Sequence, residues 1–154
     1  MKTLILYATK YGATKEIAEK IGSKMDSAVI YDVKQGNIPP LDEFERIIIG
    51  SSLYAGSIRK ELKKFVSSNV KTISDKTVGV FLSGMGESES EGAFISNFPA
   101  EIIKKAKAKA LLGGIFDPQK AGAMARFIMK IVTKQSGYIN TINDEKIDRF
   151  VQGL

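Results

Sequence analysis

The sequence predicts an α/β domain in which five buried parallel strands form one open, doubly wound sheet with helices on both faces. Three observations carry this expectation. Runs such as Leu4-Ile5-Leu6-Tyr7, Ile47-Ile48-Ile49 and Val78-Gly79-Val80-Phe81-Leu82 are apolar without alternation, as strands buried on both faces are. Segments with an apolar stripe at helical spacing separate these runs, and each parallel pair needs such a crossover. Three of the runs also end abruptly in Gly, Ser or Thr.

Along the chain, Lys2 to Ala8 is the first strand, and Thr14 to Met25 is a helix with Ile17, Ala18, Ile21 and Met25 on one stripe. Ser27 to Val33 is a short second strand, and Gly36-Asn37-Ile38-Pro39-Pro40 turns the chain into a loop. Arg46 to Ser52 is the third strand. Ser57 is expected to cap the next helix, with Ile58, Leu62, Phe65 and Val66 inward and Arg59, Lys60, Lys63 and Lys64 in water. Thr77 to Ser83 is the fourth strand, opening into a glycine-rich loop to Gly92. Pro99 begins a helix with Ile102, Ile103 and Ala106 inward and Lys104, Lys105, Lys107 and Lys109 mostly outward. Ala110 to Phe116 is expected as the fifth strand, weakened by Gly113 and Gly114 and ended by Asp117-Pro118. Residues 121–135 read as an amphipathic helix with Met124, Phe127, Ile128 and Ile131 on one face, closed by Gly137. A last helix starts near Asn143, with Asp144 and Glu145 in its first turn, and carries Ile147, Phe150 and Val151.

The junction at residues 2–14 is strand, turn, helix. Backbone N–H groups at a helix N-terminus, together with the helix dipole, form a site for an anion, phosphate above all. In the loop Thr9-Lys10-Tyr11-Gly12-Ala13-Thr14, the two threonines can add hydroxyl donors and Gly12 lets the backbone come close. By itself the loop is equally an ordinary βα turn. In an open sheet of order 2-1-3-4-5, however, ligands sit beyond the carboxyl ends of strands one, three and four. The loops there are 9–14, 51–57 and 83–92, all rich in Gly, Ser or Thr. Their convergence favours a ligand site.

Composition bounds what that ligand does. The 154 residues suit one domain spanning 1–154, large enough to fold without disulfides or a structural metal. Cysteine and histidine are absent, which removes thiol chemistry, protein-ligated iron–sulfur clusters and the commonest general base, and leaves hard chemistry to a cofactor. A P-loop or dinucleotide fingerprint needs glycines that 9–14 lacks, and a receiver domain needs acids where Tyr7-Ala8-Thr9 and Gly50-Ser51-Ser52 stand. The net charge of +6 favours acidic partners, anionic ligands or an anionic membrane surface. Lysines spread over a solvated surface are the plainer alternative and are preferred over a nucleic-acid footprint, for which no motif is present. No signal peptide or spanning segment is read, so a cytoplasmic location is expected.

Over Lys2 to Val151 the chain resembles the flavodoxin family, and Thr9-Lys10-Tyr11-Gly12-Ala13-Thr14 is similar to that family's FMN phosphate loop, [ST]-x-T-G-x-T, with Tyr11 where a threonine is usual. The resemblance implies a three-layer, flavodoxin-like five-stranded sheet of order 2-1-3-4-5 and non-covalently bound FMN. It implies a phosphate held by Thr9, Lys10, Tyr11, Gly12, Ala13 and Thr14, and a ring flanked by Ser51, Ser52, Leu53, Tyr54, Ala55 and Gly56 on one side and Ser83, Gly84, Met85 and Gly86 on the other. Tyr54 is the natural stacking residue, with a rim or core tyrosine as the plainer reading. The second ring loop offers only Met85 where many flavodoxins place an aromatic residue.

The opening segment, Gly50-Ser51-Ser52-Leu53-Tyr54-Ala55-Gly56 and Arg126-Phe127-Ile128-Met129-Lys130-Ile131 also resemble the quinone-linked protoporphyrinogen dehydrogenase branch. That branch oxidises a porphyrinogen through FMN and passes electrons to a quinone. The region GIFDPQKAGAMAR is shorter and poorer in aromatic and basic residues than that enzyme's loop. Three functions therefore stay open: an electron carrier with a redox partner protein, a porphyrinogen-oxidising enzyme using a quinone, or a flavin-free interaction module. The helix at 121–135 is preferred as packed on the sheet over lying on a membrane. Glu87, Glu89 and Glu91 are preferred as a solvated loop over tuning the flavin.

Overall fold

A computed structural model describes residues 1–86, 90–120, 122, 123, 126, 127, 130 and 137–154. Strands β1 (Thr3–Ala8), β2 (Ala28–Asp32), β3 (Arg46–Ser52), β4 (Thr77–Ser83) and β5 (Ala106–Leu111) pair in parallel, in the order β2-β1-β3-β4-β5. The expected topology is the observed one. Helices α1 (Ala13–Ser23), α2 (Lys60–Ser68), α3 (Val70–Ser74), α4 (Ser90–Asn97), α5 (Ala100–Lys105) and α6 (Asp144–Gln152) cover its faces.

The central strands β1, β3 and β4 are apolar on both sides because each side has its own core. Leu4, Leu6, Ile47, Ile49, Val80 and Leu82 meet Leu62, Val66, Ile73, Phe94 and Ile102 on one face. Ile5, Tyr7, Ile48 and Phe81 meet Ile17, Ala18, Ile21, Ile147 and Phe150 on the other. That is the three-layer arrangement.

Four expectations are corrected. The fifth strand is Ala106–Leu111, several residues earlier than expected, and α5 stops at Lys105. Ala106-Lys107-Ala108-Lys109-Ala110 alternates small and charged residues, which suits an edge strand with one face packed; the period-two pattern overrides the helical reading of the same lysines. Residues 115–116 instead form β6 (Ile115–Phe116), antiparallel to β7 (Ile139–Asn140) in a separate ribbon. Ser57 does not cap α2. Arg59 stands at the cap without a side-chain bond of its own, its N–H donating to Ser51 Oγ at 3.0 Å, while Ser57 closes a hairpin with Tyr54. Helix α4 begins at Ser90, inside the segment expected as loop.

Met124, Ile128 and Ile131 of the helix expected at 121–135 lie outside the described residues, as do Glu87 and Glu89. Phe127 is described and is 62% exposed, so it does not make the expected contact with the sheet. Among the described residues no helix is long and apolar enough to cross a membrane.

Candidate functional site

The first loop turns on Gly12, whose φ of +104° belongs to the left-handed region that glycine enters without strain. Its N–H donates to Thr9 Oγ1 at 2.9 Å, closing the turn and leaving the Thr9 hydroxyl proton to donate elsewhere. The helical ladder starts with Glu16 N–H donating to the Gly12 carbonyl at 3.1 Å, and α1 has no side-chain cap. The N–H groups ahead of Glu16 and the positive end of the helix dipole therefore face this loop. Thr14 is fully buried, and its hydroxyl bonds Ser83 Oγ at 2.7 Å, tying α1 to the end of β4. Lys34 Nζ donates to the Thr9 carbonyl at 3.1 Å.

The second loop is a tight hairpin. Tyr54 and Ser57 exchange N–H···O bonds of 2.9 and 3.0 Å across Ala55 (φ +49°) and Gly56 (φ +76°). Asn97, 4% exposed, holds it from α4: its Oδ1 accepts from Ile58 N–H, and its Nδ2 donates to the Gly56 and Ala93 carbonyls. Tyr54 keeps 43% of its surface exposed on this fixed base.

The third loop is joined to the second where Leu53 N–H donates to the Ser83 carbonyl at 2.8 Å. Gly84 N–H in turn donates to the Gly113 carbonyl at 3.0 Å. Behind it, a Cβ on Gly114 would stand 3.1 Å from the Gly84 backbone, so a larger residue there would push these segments apart by a few tenths of an ångström.

The three loops enclose a cleft of roughly 220 Å³. Thr9, Lys10, Tyr11 and Ala13 line it from the first loop, Ser52, Leu53, Tyr54 and Ala55 from the second, and Ser83, Gly84 and Met85 from the third. Gly12, Thr14, Ser51, Gly56 and Gly86 are not in the lining. The first four shape the loops from behind, Ser51 by accepting from Arg59 N–H and donating to the Ser52 carbonyl at 3.0 Å.

Gly114 and Ile115 complete the wall. Sequence reasoning missed both, and it missed Asn97. The signal for the wall was Gly113-Gly114, a pair suited to close backbone approach but read as a weakness within a strand.

Chemically, the cleft is lined both by the loop at the α1 N-terminus and by the aromatic side chain of Tyr54. None of the described lining residues is acidic. Lys10 Nζ lies 3.4 Å from the centroid of Tyr54 and 5.2 Å from that of Tyr11. Ser52 Oγ is buried in the wall without a hydrogen-bond partner. Buried hydroxyls are ordinarily paired, so this one marks where a bound molecule can supply a partner. The set holds no paired acid and base or activated nucleophile; it is built to bind.

A family model described as a flavodoxin domain matches residues 4–141. The flavodoxin of Helicobacter pylori is 23% identical over 156 residues, covering 96% of this chain and 93% of that protein. The Escherichia coli protein named protoporphyrinogen IX dehydrogenase [quinone] is 22% identical over 147 residues, covering 89% and 81%. The two similarities are nearly equal and single out neither branch. Among solved structures, a Fusobacterium nucleatum flavodoxin bound to flavin mononucleotide superposes with a TM-score of 0.54 at 24% identity, over 73% of this chain and 70% of that one. At such identity the likeness speaks for the fold alone.

Proposed function

The chain belongs to the flavodoxin domain family, and from that premise we propose that it binds FMN non-covalently and carries electrons through it. It acts as a single cytoplasmic domain over residues 1–154. The observation that carries this reading is the meeting of all three loops in one cleft, lined by the loop at the α1 N-terminus and by Tyr54. The fit is supported by the unpartnered Ser52 hydroxyl and by the close approach of Gly114 to the Gly84 backbone, which braces the third loop from behind.

The backbone of Lys10 to Thr14 and the Thr9 hydroxyl hold the phosphate. Thr14 serves by fixing that loop to β4 through Ser83. Tyr54 covers one face of the ring at little entropic cost. Ser51, Ser52, Leu53, Ala55 and Gly56 build that side, while Ser83, Gly84, Met85 and Gly86 border the other. When bound, FMN supplies the one- or two-electron chemistry. The protein sets ring exposure and local charge, and no side chain serves as acid, base or nucleophile.

A second reading is favoured by the near-equal similarity to the E. coli enzyme and by the net charge of +6. In it the same loops would hold FMN, which would supply the chemistry for oxidising an anionic small molecule such as a porphyrinogen, with a quinone as electron acceptor and peripheral membrane contact. The electron-carrier reading predicts a redox partner protein instead.

The deciding experiment is the visible spectrum of the purified protein after addition of FMN and desalting. Retained bands near ~450 nm, where oxidised flavin absorbs, are expected. Folded protein that retains none overturns both redox readings. Anaerobic incubation with porphyrinogen and quinone then separates them: fluorescent porphyrin selects the second, and its absence selects the carrier.

A further inference from the structure

We infer that Lys10 is a movable latch over the Tyr54 ring, and that its transfer from that ring to a bound phosphate adds to the site's preference for phosphorylated over unphosphorylated flavin; the inference rests on the FMN reading above. The Lys10 ammonium sits 3.4 Å from the Tyr54 centroid, within the distance at which a cation and an aromatic face attract. It also lies 5.2 Å from Tyr11. No carboxylate among the described residues pairs with it. Among the described residues, its closest partner is the Tyr54 ring.

A flat ligand settling on that face of Tyr54 displaces the ammonium. The tyrosine does not yield, because its backbone bonds Ser57 in both directions and Asn97 holds the hairpin through Gly56 and Ile58. Lys10 does, since it is exposed and carries its charge on a flexible four-carbon stem. Displacement disfavours every flat ligand alike.

The fate of the displaced charge differs between ligands. Lys10 belongs to the loop that enters α1 at Gly12, where the helix has no side-chain cap. Its flexible stem, rooted in that loop, lets the freed ammonium swing toward those N–H groups, and a phosphate there regains it as a charge-assisted contact. Riboflavin, lacking the phosphate, regains nothing.

The test measures two properties in wild type, Lys10→Met, Lys10→Arg and Tyr54→Leu. The first is the ¹H shift of the Lys10 ε-methylene in flavin-free protein. An upfield ring-current shift is expected in wild type and is lost in Tyr54→Leu. The second is the affinity for riboflavin and for FMN at low salt. In Lys10→Met, riboflavin binding tightens roughly threefold to tenfold while the FMN-to-riboflavin affinity ratio falls about tenfold or more. Lys10→Arg, which stacks and keeps the charge, retains the wild-type ratio. An unshifted methylene in wild type overturns the latch whether or not flavin binds. Equal changes for both ligands in Lys10→Met overturn the selectivity while leaving the FMN reading intact. Failure of wild type to bind either flavin overturns the FMN reading and the selectivity together, with the methylene shift still scoring the contact.

Discussion

Asn97 lines no part of the cleft, yet it fixes the hairpin that does. Replacing it with alanine leaves the Ile58 N–H and the Gly56 carbonyl without partners. Loss of buried hydrogen bonds with orphaned groups costs about 2–3 kcal/mol. Asn97→Ala should therefore lower the urea midpoint at unchanged slope and weaken FMN retention, because Tyr54 loses its base; an unchanged midpoint would refute the role. Ala55 makes the opposite case. Its φ of +49° is left-handed, which costs an L-residue roughly 1–2 kcal/mol, while glycine there gives back part of the gain through a freer unfolded chain. Ala55→Gly should raise stability by about 0.5–1 kcal/mol in the same assay, and a lowered midpoint would show that the hairpin is unstrained. These residues also show what is legible at this scale. The Thr9–Gly12 bond spans three positions, so the motif reveals it. The Asn97 bonds to Ile58 and Gly56 span 39 and 41, and no local pattern announces them.

At the scale of elements, the strands that were easiest to read are those apolar on both faces, since only a sheet covered twice explains them. The fifth strand is harder because an edge has one neighbouring strand and tolerates lysine. Its Ala-Lys alternation and the helical pattern before it share the same residues, and pairing with β4 decides between them. The two-residue ribbon of β6 and β7 has too few residues to show a period at all. Its dependence on Gly113 is testable. That residue has a φ of +92°, and a Cβ there would stand 2.0 Å from the Thr141 carbonyl oxygen. Both obstacles are backbone and cannot swing aside, so Gly113→Ala should cost roughly 2–4 kcal/mol. Gly86→Ala, where a Cβ meets nothing within 4 Å, should stay within about 0.5 kcal/mol of wild type. Equal midpoints for the two variants would mean that the ribbon does not depend on glycine at position 113.

For the molecule as a whole, the order β2-β1-β3-β4-β5 does the assembling: Ala8 lies beside Ser51 and Ser52 beside Ser83, so the ends of β1, β3 and β4 are neighbours. That much stems from strand order, whereas the wall from Gly114 and Ile115 depends on a ribbon outside the main sheet. Charge is the other global property. With no histidine or cysteine, few side chains titrate between about pH 6 and 9, and unfolding free energy should be nearly flat across that window. Above it two groups act in the same direction. Lys20 has its pKa raised above the ordinary 10.5, first by its hydrogen bond to Asp144 and then by that carboxylate's charge. Its contribution is fully present below the unfolded value and lost as pH rises through the folded one. Tyr7 is raised above 10.0 by burial first, then by Asp32 and Glu19. The unfolded chain releases that proton before the folded one does, so rising pH again favours unfolding. Urea midpoints measured from about pH 6 to 11 should hold level and then fall beyond about pH 10. Tyr7→Phe and Lys20→Met should each make that fall shallower, and the Lys20 variant should also lower the plateau by the contribution it no longer has to lose. A slope already present between about pH 7 and 9, or a fall unaffected by either substitution, would place the alkaline instability elsewhere in the molecule.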